Sequence, residues 1–126
     1  MLEKPILYVV VPCYNEEEVL EETTKQLTKK MNSLIEEDII SKKSKVMYVN
    51  DGSKDKTWKL IKKIHEDNDL FTGVSLTRNR GHQNALLAGL MTAKENADVI
   101  ISMDADLQDD INAIDKMLEK YKEGND

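Results

Sequence analysis

The sequence is poor in several residue types that define other classes of protein. It contains one cysteine, Cys13, and two prolines among 126 residues, so no internal disulfide can form. No apolar run approaches the roughly 20 residues that a transmembrane helix needs. The start, Met1–Pro5, is charged and broken by proline, unlike a signal peptide. These absences predict a protein of the reducing cytosol that does not itself span a bilayer.

Positive charge is also in deficit. The chain has 18 Lys and Arg against 24 Asp and Glu, which gives a formal net charge of −6. No basic stripe offsets this charge, which argues against a general nucleic-acid binder and against attraction to anionic lipid. A chain of 126 residues has room for one domain with a real hydrophobic core.

Strand-like and helix-like apolar patterns alternate along the chain. The predicted strands are Ile6–Val11, Val46–Val49, Val74–Leu76 and Asp98–Met103. The predicted helices run from about Glu16 to Ser33, from Asp55 to Asn68, from His82 to Asn96, and from Asp109 or Asp110 to Tyr121. This order predicts an α/β fold over residues 1–126, with a parallel or mostly parallel sheet and helices on both faces.

Local signals set the expected ends of these elements. The first strand is expected to stop at Pro12, and Asn15 is expected to cap the first helix. Asp55 is a candidate cap for the second helix. The small residues Ala85 and Gly89 predict that the third helix packs closely on the sheet.

Polar, loop-forming clusters follow all four predicted strands. They are Pro12–Glu16, Asn50–Ser53, Thr77–Arg80 and Asp104–Asp106. In parallel α/β sheets, ligands bind outside the carboxyl ends of the strands. The coincidence of four such clusters on one edge predicts a ligand site there.

The acidic pair Asp104 and Asp106 is the most informative of these clusters. Two carboxylates one residue apart, at the end of an apolar strand, can both turn toward one divalent cation. Hard oxygen ligands suit Mg²⁺ or Mn²⁺, and a diphosphate can complete the coordination shell. The alternative is that both acids are solvated loop residues that cap the following helix.

The other clusters offer complementary groups for a nucleotide. Tyr14 could lie against a nucleobase, and Asp51 could accept a hydrogen bond from a base or ribose. Arg78 and Arg80 could pair with phosphates, and His82 opens a helix whose free N–H groups attract anions. Each group also has a purely structural interpretation, as a turn, a cap or an exposed side chain. Neither the P-loop pattern nor G-x-G-x-x-G is present.

Taken together, the segments resemble a known family. Val9–Glu17, Val49–Thr57 and Met103–Asp109 resemble family 2 glycosyltransferases of the GT-A fold. Arg78–Ala85, with Ala88 and Gly89, is similar to the branch that loads a sugar onto a polyprenyl phosphate. That branch comprises dolichyl-phosphate mannose synthases and bacterial undecaprenyl-phosphate glycosyltransferases.

The resemblance implies a role for each matching residue. Those implied to bind the nucleotide or donor are Pro12, Tyr14, Glu16, Asp51, Arg78, His82 and Asp104. Asp104 and Asp106 are implied to hold Mg²⁺ or Mn²⁺, with Gln108 nearby, and the catalytic candidates are Asp106 and Asp109. Many members have an acid where this chain has Asn50, which leaves Asp51 as the better base contact. Many also have proline where Asp110 stands, which affects only the local turn.

The implied function is metal-dependent, inverting transfer of a sugar from a nucleoside diphosphate sugar, UDP more than GDP, to a polyprenyl phosphate or other acceptor. This chain is expected to be the N-terminal, donor-binding half of a longer cytoplasmic protein that associates with the membrane. Such enzymes serve cell wall or polysaccharide biosynthesis, and the half alone is not expected to turn over.

Three alternatives remain at this point. A non-catalytic nucleotide-binding or scaffold module would use the acids only as caps. A sugar nucleotidyltransferase would need a glycine-rich basic loop after the first strand, which Pro12–Glu16 does not supply. An aspartyl phosphatase would need Thr or Val where Gln108 stands.

Overall fold

The computed structural model describes residues 4–76, 81–105, 111 and 113–122, without the side chains of His82 and Lys122. In these residues strands and helices alternate as the sequence predicts. Their order is β1 (Leu7–Cys13), α1 (Leu20–Glu36), β2 (Lys45–Asp51), α2 (Thr57–Asp67), β3 (Phe71–Leu76), α3 (His82–Ala93), β4 (Val99–Ser102) and α4 (Ala113–Lys122). None of the helices in the described part of the chain is long and apolar enough to cross a membrane.

The four strands form one parallel sheet in the order β3-β2-β1-β4. β1 is central, with Val10 paired to Met47 of β2 on one side and to Ser102 of β4 on the other. The chain adds β2 and β3 on one side of β1 and then crosses to place β4 on the other. The strand order therefore reverses between β1 and β4, which is where α/β sheets of this kind open a binding crevice.

Helices cover both faces of the sheet, which confirms the predicted Rossmann-like α/β architecture. One core cluster joins β1 side chains such as Val9 and Val11 to α1, α2 and α4. The other joins Val10 and Val49 to α3. Because successive strand side chains point to opposite faces, the continuous apolar run of β1 supplies both cores.

Gly89 is where α3 approaches the sheet most closely. A Cβ atom at this position would lie 2.5 Å from a methyl carbon of Val10 and 2.8 Å from one of Val49. Ala85, one turn earlier, is fully buried. These contacts confirm the prediction of close packing. The opposite side of α3 is also apolar, with Leu87 55% and Met91 63% exposed.

β1 does not stop at Pro12, contrary to the sequence prediction. The strand continues to Cys13, and Pro12 pairs with Val49 of β2. The backbone of Val10 faces β4, since its carbonyl accepts the N–H of Met103 at 3.1 Å. Backbone groups alternate in direction along a strand, so the missing N–H of Pro12 also falls on the β4 side. Pairing with β4 ends at Val10, so no ladder hydrogen bond is lost there.

β3 begins at Phe71, three residues earlier than predicted from Val74. The Phe71 ring is buried and stacks on Tyr48 of β2, with ring centroids 5.5 Å apart. Gly73 lies under Trp58 of α2, and a Cβ there would come within 3.3 Å of the indole. Trp58 therefore packs on the sheet. The predicted caps of α4, Asp109 and Asp110, lie outside the described residues.

Candidate functional site

Five predicted site residues lie along the carboxyl edge of the sheet. Pro12 is buried near the end of β1, and Tyr14, in the turn that follows, is 38% exposed. Glu16 is half-buried in the same loop. Asp51 is 3% exposed at the end of β2, and Asp104 is half-buried just after β4. An exposed aromatic ring and three acids therefore follow three neighbouring strands.

The remaining predicted site residues are only partly placed. Arg78, Asp106 and Asp109 lie outside the described residues. The backbone of His82 begins α3, directly after Gly81, whose φ of 90° requires the conformational freedom of glycine. The roles of all four side chains stay predictions.

Hydrogen bonds join the two loops that follow β1 and β2 and fix the shape of this edge. We call them the inter-loop network and define it by the side chains of Asn15, Ser53, Asp55 and Thr57. Asn15 has a left-handed φ of 53°. Its N–H donates to the Ser53 hydroxyl at 2.9 Å, and its side-chain oxygen accepts the N–H of Lys54 at 2.8 Å. The loops that follow β1 and β2 are thus joined in both directions.

Asn15 therefore does not cap α1, and that prediction is wrong. Its side chain is engaged by the neighbouring loop, and α1 begins at Leu20 without a side-chain cap. The intervening residues form a turn in which the carbonyl of Glu16 accepts the N–H groups of Val19 and Leu20, each at 3.1 Å. Asparagine is a good capping residue, but here it hydrogen-bonds a loop that is distant in the sequence, and sequence spacing alone does not reveal this.

Asp55 is not the N-cap of α2, contrary to the prediction, because that position is Lys56, which makes no side-chain cap hydrogen bond. The Asp55 carboxylate instead bonds the first residue of the helix and extends the inter-loop network. One carboxylate oxygen accepts the N–H of Thr57 at 2.9 Å and also the Thr57 hydroxyl. The other accepts the N–H of Glu17 at 3.3 Å, while the Thr57 oxygen accepts the N–H of Glu16 at 2.8 Å. The loop that carries Tyr14 and Glu16 is therefore held by side chains from the start of α2.

The Asp55 carboxylate should make stability depend on pH at the acid end. Desolvation raises the pKa of Asp55, but hydrogen bonds from Thr57 and Glu17 outweigh it and hold this pKa below its ordinary value. A lowered folded-state pKa stabilises the fold above the unfolded-state pKa of about 3.9, and this stabilisation is lost as pH falls through the folded-state pKa. We expect Asp55→Asn to lower the free energy of unfolding near neutral pH, with the difference from the unsubstituted protein shrinking below about pH 4. Urea unfolding at several pH values measures this, and a pH-independent difference would contradict it.

The side chain of Asn50 has a structural role. Its side-chain N–H₂ donates to the Ser75 hydroxyl at 3.0 Å, and its side-chain oxygen accepts the N–H of Ser53 at 3.2 Å. Asn50 is 4% exposed. Its amide thus links β2, β3 and the following turn, which is consistent with Asp51 being the better base contact.

The thiol of Cys13 is not a candidate nucleophile. Cys13 is 1% exposed at the end of β1. Burial, and then the charge of Glu16, raise the pKa of this thiol far above its ordinary value. The thiol is therefore protonated near neutral pH and lacks the thiolate that nucleophilic chemistry requires.

Asp104 is suited to a hard divalent cation. Asp104 is half-buried just after β4, and a carboxylate is the kind of oxygen ligand that Mg²⁺ or Mn²⁺ takes. Within the described residues, no three His, Cys, Asp or Glu side chains are grouped closely enough to hold a metal. Asp106, the second predicted ligand, lies outside this part of the chain.

One surface groove lies between α1 and α2, away from the carboxyl edge of the sheet. It has a volume of about 570 Å³. Its lining residues are Glu21, Thr24, Leu60, Lys63, Ile64, Asp67 and Asn68. None of them is a predicted site residue.

Sequence reasoning missed the hydroxyl side chains that organise the edge. Ser53 and Thr57 each accept a hydrogen bond from the loop after β1. Thr23, in the first turn of α1, donates to the carbonyl oxygen of Ala105. Small hydroxyl residues beside glycine and asparagine turns are known to bond backbone groups, so the sequence around Ser53 and Thr57 could have indicated their hydrogen bonds. The sequence around Thr23 could not have indicated its hydrogen bond, because its partner is 82 residues away.

Comparison with known proteins identifies the family. A sequence profile of glycosyl transferase family 2 matches residues 8–126. The chain belongs to this family. The match begins in β1 and includes every predicted site residue.

Two relatives show how far the similarity extends. The glycosyltransferase YkoT of Bacillus subtilis is 54% identical over 121 residues, which are 96% of this chain and 36% of YkoT. A prophage bactoprenol glucosyl transferase homolog of Escherichia coli is 37% identical over 118 residues, 94% of this chain and 36% of that protein. The family 2 chain thus spans about a third of the length of these relatives.

A solved structure shares the fold. The mannosyltransferase PcManGT from Pyrobaculum calidifontis, in complex with GDP-Man and Mn²⁺, aligns with a TM-score of 0.63 and 31% identity. The alignment covers 82% of this chain and 28% of PcManGT. The GT-A arrangement implied by the sequence motifs is thereby confirmed.

Proposed function

We propose that this chain is the donor-binding part of a metal-dependent, inverting glycosyltransferase. The donor is a nucleoside diphosphate sugar, a UDP-sugar in preference to a GDP-sugar, and the acceptor is a polyprenyl phosphate. The observation that carries the proposal is the position of Tyr14, Asp51 and Asp104 on one edge, after strands β1, β2 and β4. That edge includes the point where the strand order reverses.

The nucleoside would be held between the loops after β1 and β2. Tyr14 offers an exposed ring face, and Asp51 offers a carboxylate that can accept a hydrogen bond from a base N–H or a ribose hydroxyl. Pro12 and Glu16 would complete this wall. The inter-loop network supports the arrangement, because it fixes the two loops relative to each other before any ligand arrives.

The diphosphate would lie toward β4, and its charge calls for a cation. The carboxylates of Asp51 and Asp104 on this edge would repel an anionic diphosphate unless a positive group came between them. Asp104 and Asp106 would hold Mg²⁺ or Mn²⁺, and Arg78 and His82 would supply further positive or donor groups. The bound cation would offset the charge that builds on the leaving diphosphate.

The transfer itself needs little base catalysis. The bond between the anomeric carbon and the diphosphate oxygen breaks, and a bond to an acceptor phosphate oxygen forms on the opposite side. That acceptor oxygen is already anionic near neutral pH, so it needs less activation than a hydroxyl. A single displacement inverts the anomeric centre, and Asp109 is a candidate for orienting the acceptor.

Support for the lipid acceptor comes from the relatives. The Escherichia coli protein described as a bactoprenol glucosyl transferase homolog is 37% identical. The segment Arg78–His82 belongs to the pattern by which the sequence resembles that branch. We therefore propose that the whole protein acts at the cytoplasmic face of a membrane, where it would meet its acceptor.

Calorimetric titration with UDP and GDP, first with Mn²⁺ and then with excess EDTA, tests the proposal. We expect UDP to bind with Mn²⁺ and to lose most of its affinity in EDTA. Tighter binding of GDP would overturn the preference for UDP. Equal affinity in EDTA would overturn the metal dependence, and failure of the intact protein to bind either nucleotide would overturn donor binding altogether.

A further inference from the structure

α1 makes a buried contact with the acidic turn after β4. The hydroxyl of Thr23, in the first turn of α1, donates to the carbonyl oxygen of Ala105. Both residues are 3% exposed. Ala105 stands between Asp104 and Asp106 in the chain, so this hydrogen bond falls at the centre of the predicted metal-binding pair.

The contact differs from those of two other helical threonines, Thr28 and Thr92. Thr28 and Thr92 donate to the carbonyl four residues earlier in their own helices, at 2.7 and 2.8 Å. That local bond is the usual choice for a threonine inside a helix. Thr23 donates instead to a residue 82 positions away, at the end of a different strand.

Ala105 is held on more than one side. Its methyl group belongs to the core cluster that includes Met103 and α1. The chain just before it is tied to the central strand, because the Met103 N–H donates to Val10. The carbonyl that Thr23 holds belongs to the planar peptide unit leading to Asp106, so fixing this oxygen fixes that peptide plane.

We propose that Thr23 is a positioning residue for the metal-binding carboxylates. Its hydroxyl holds the Ala105 carbonyl, so that the turn carrying the carboxylate of Asp104 keeps the shape that binding of a divalent cation requires. This inference rests on the proposed function. Residues that orient metal ligands without touching the metal commonly change its affinity by about 10- to 100-fold when replaced.

Three variants and a control isolate this role. Thr23→Val keeps the shape and removes the donor, Thr23→Ser keeps the donor, and Thr23→Ala removes the donor without adding bulk. Thr28→Val is the matched control, because it removes a hydroxyl from the same helix whose partners, the Thr24 carbonyl and the Asn68 side chain, are not predicted site residues. Each variant is titrated with UDP in Mn²⁺ and in EDTA, and its Tm is measured without metal.

We expect Thr23→Val to weaken UDP binding in Mn²⁺ by about 10- to 100-fold and to leave binding in EDTA unchanged. Thr23→Ser should keep the gain in UDP affinity that Mn²⁺ provides. Thr28→Val should also keep this gain, despite a lowered Tm. Should Thr23→Val fail to fold, Thr23→Ala gives the same comparison.

Two other results would overturn the inference in different ways. If the ratio of the UDP affinities with and without Mn²⁺ is unchanged in Thr23→Val or Thr23→Ala, then Thr23 only stabilises the fold. Absence of a manganese effect in the unsubstituted protein would overturn the proposed function and the role of Thr23 together.

Discussion

Replacement of Asp104 by asparagine is expected to weaken manganese-dependent UDP binding by about 100-fold. Loss of one anionic ligand removes several kcal/mol of interaction with a divalent cation, and each 1.36 kcal/mol corresponds to a factor of ten. The side chain keeps its size, so the half-buried position after β4 should tolerate the change. Asp106→Ala is expected to abolish the manganese effect entirely. Calorimetry in Mn²⁺ and in EDTA measures both variants.

Asp98 offers a matched control at the other end of the same strand. Its carboxylate accepts the N–H of Ile6 at 2.9 Å, just before β4 begins. Asp98→Asn therefore removes the same charge from the amino edge of the sheet and should leave the manganese effect intact. If Asp98→Asn and Asp104→Asn weakened binding equally, general electrostatics would explain the loss and the metal assignment would be wrong.

Gly89→Ala is expected to lower the free energy of unfolding by about 1 to 3 kcal/mol. In an exposed helix the same change would stabilise by about 1 kcal/mol, because alanine has the higher helix propensity. Here the added carbon would lie within 3.0 Å of the methyl groups of two valines, Val10 and Val49. Valine side chains are stiff, so the helix itself must move away from the sheet. Urea denaturation measures the change.

Two further variants test the cause of that loss. Val49→Ala removes one of the two methyl contacts, so the cost of Gly89→Ala should be smaller in a Val49→Ala background. Met91→Ala, at an exposed position of the same helix, should change stability by less than about 0.5 kcal/mol. Additive effects of the Gly89 and Val49 substitutions would show that the predicted clash does not occur.

Much of the fold could be predicted from local pattern, because most elements carry their own apolar signature. The runs before Pro12 and Asn50 are continuous and apolar, as strands buried on both faces should be. β3 was predicted too short because Thr72 and Gly73 interrupt its apolar pattern. Its true start depends on Phe71 packing against Tyr48, a contact between strands that no local window contains.

The edge that carries the candidate site residues could be predicted from the sequence, but the hydrogen bonds among their loops could not. Strand order alone places Tyr14, Asp51 and Asp104 on one edge, and the motifs supplied their family. The role of Asn15 was predicted wrongly because asparagine is suited both to capping a helix and to hydrogen-bonding a neighbouring loop. Which of the two it does depends on Ser53 and Lys54, which lie nearly 40 residues away.

The central position of β1 has a consequence for how the protein is made. β1 can pair with β2 as soon as residue 51 has been synthesised, but its partner on the other side, β4, ends only at Ser102. The loop that must close between Ile6 and Asp98 spans 92 positions, and its closure entropy opposes early pairing. The nascent chain can therefore join the loops after β1 and β2 first, while one side of β1 still lacks a partner. The turn that carries Asp104, a proposed metal ligand, forms only after β4 has paired and Thr23 has met Ala105.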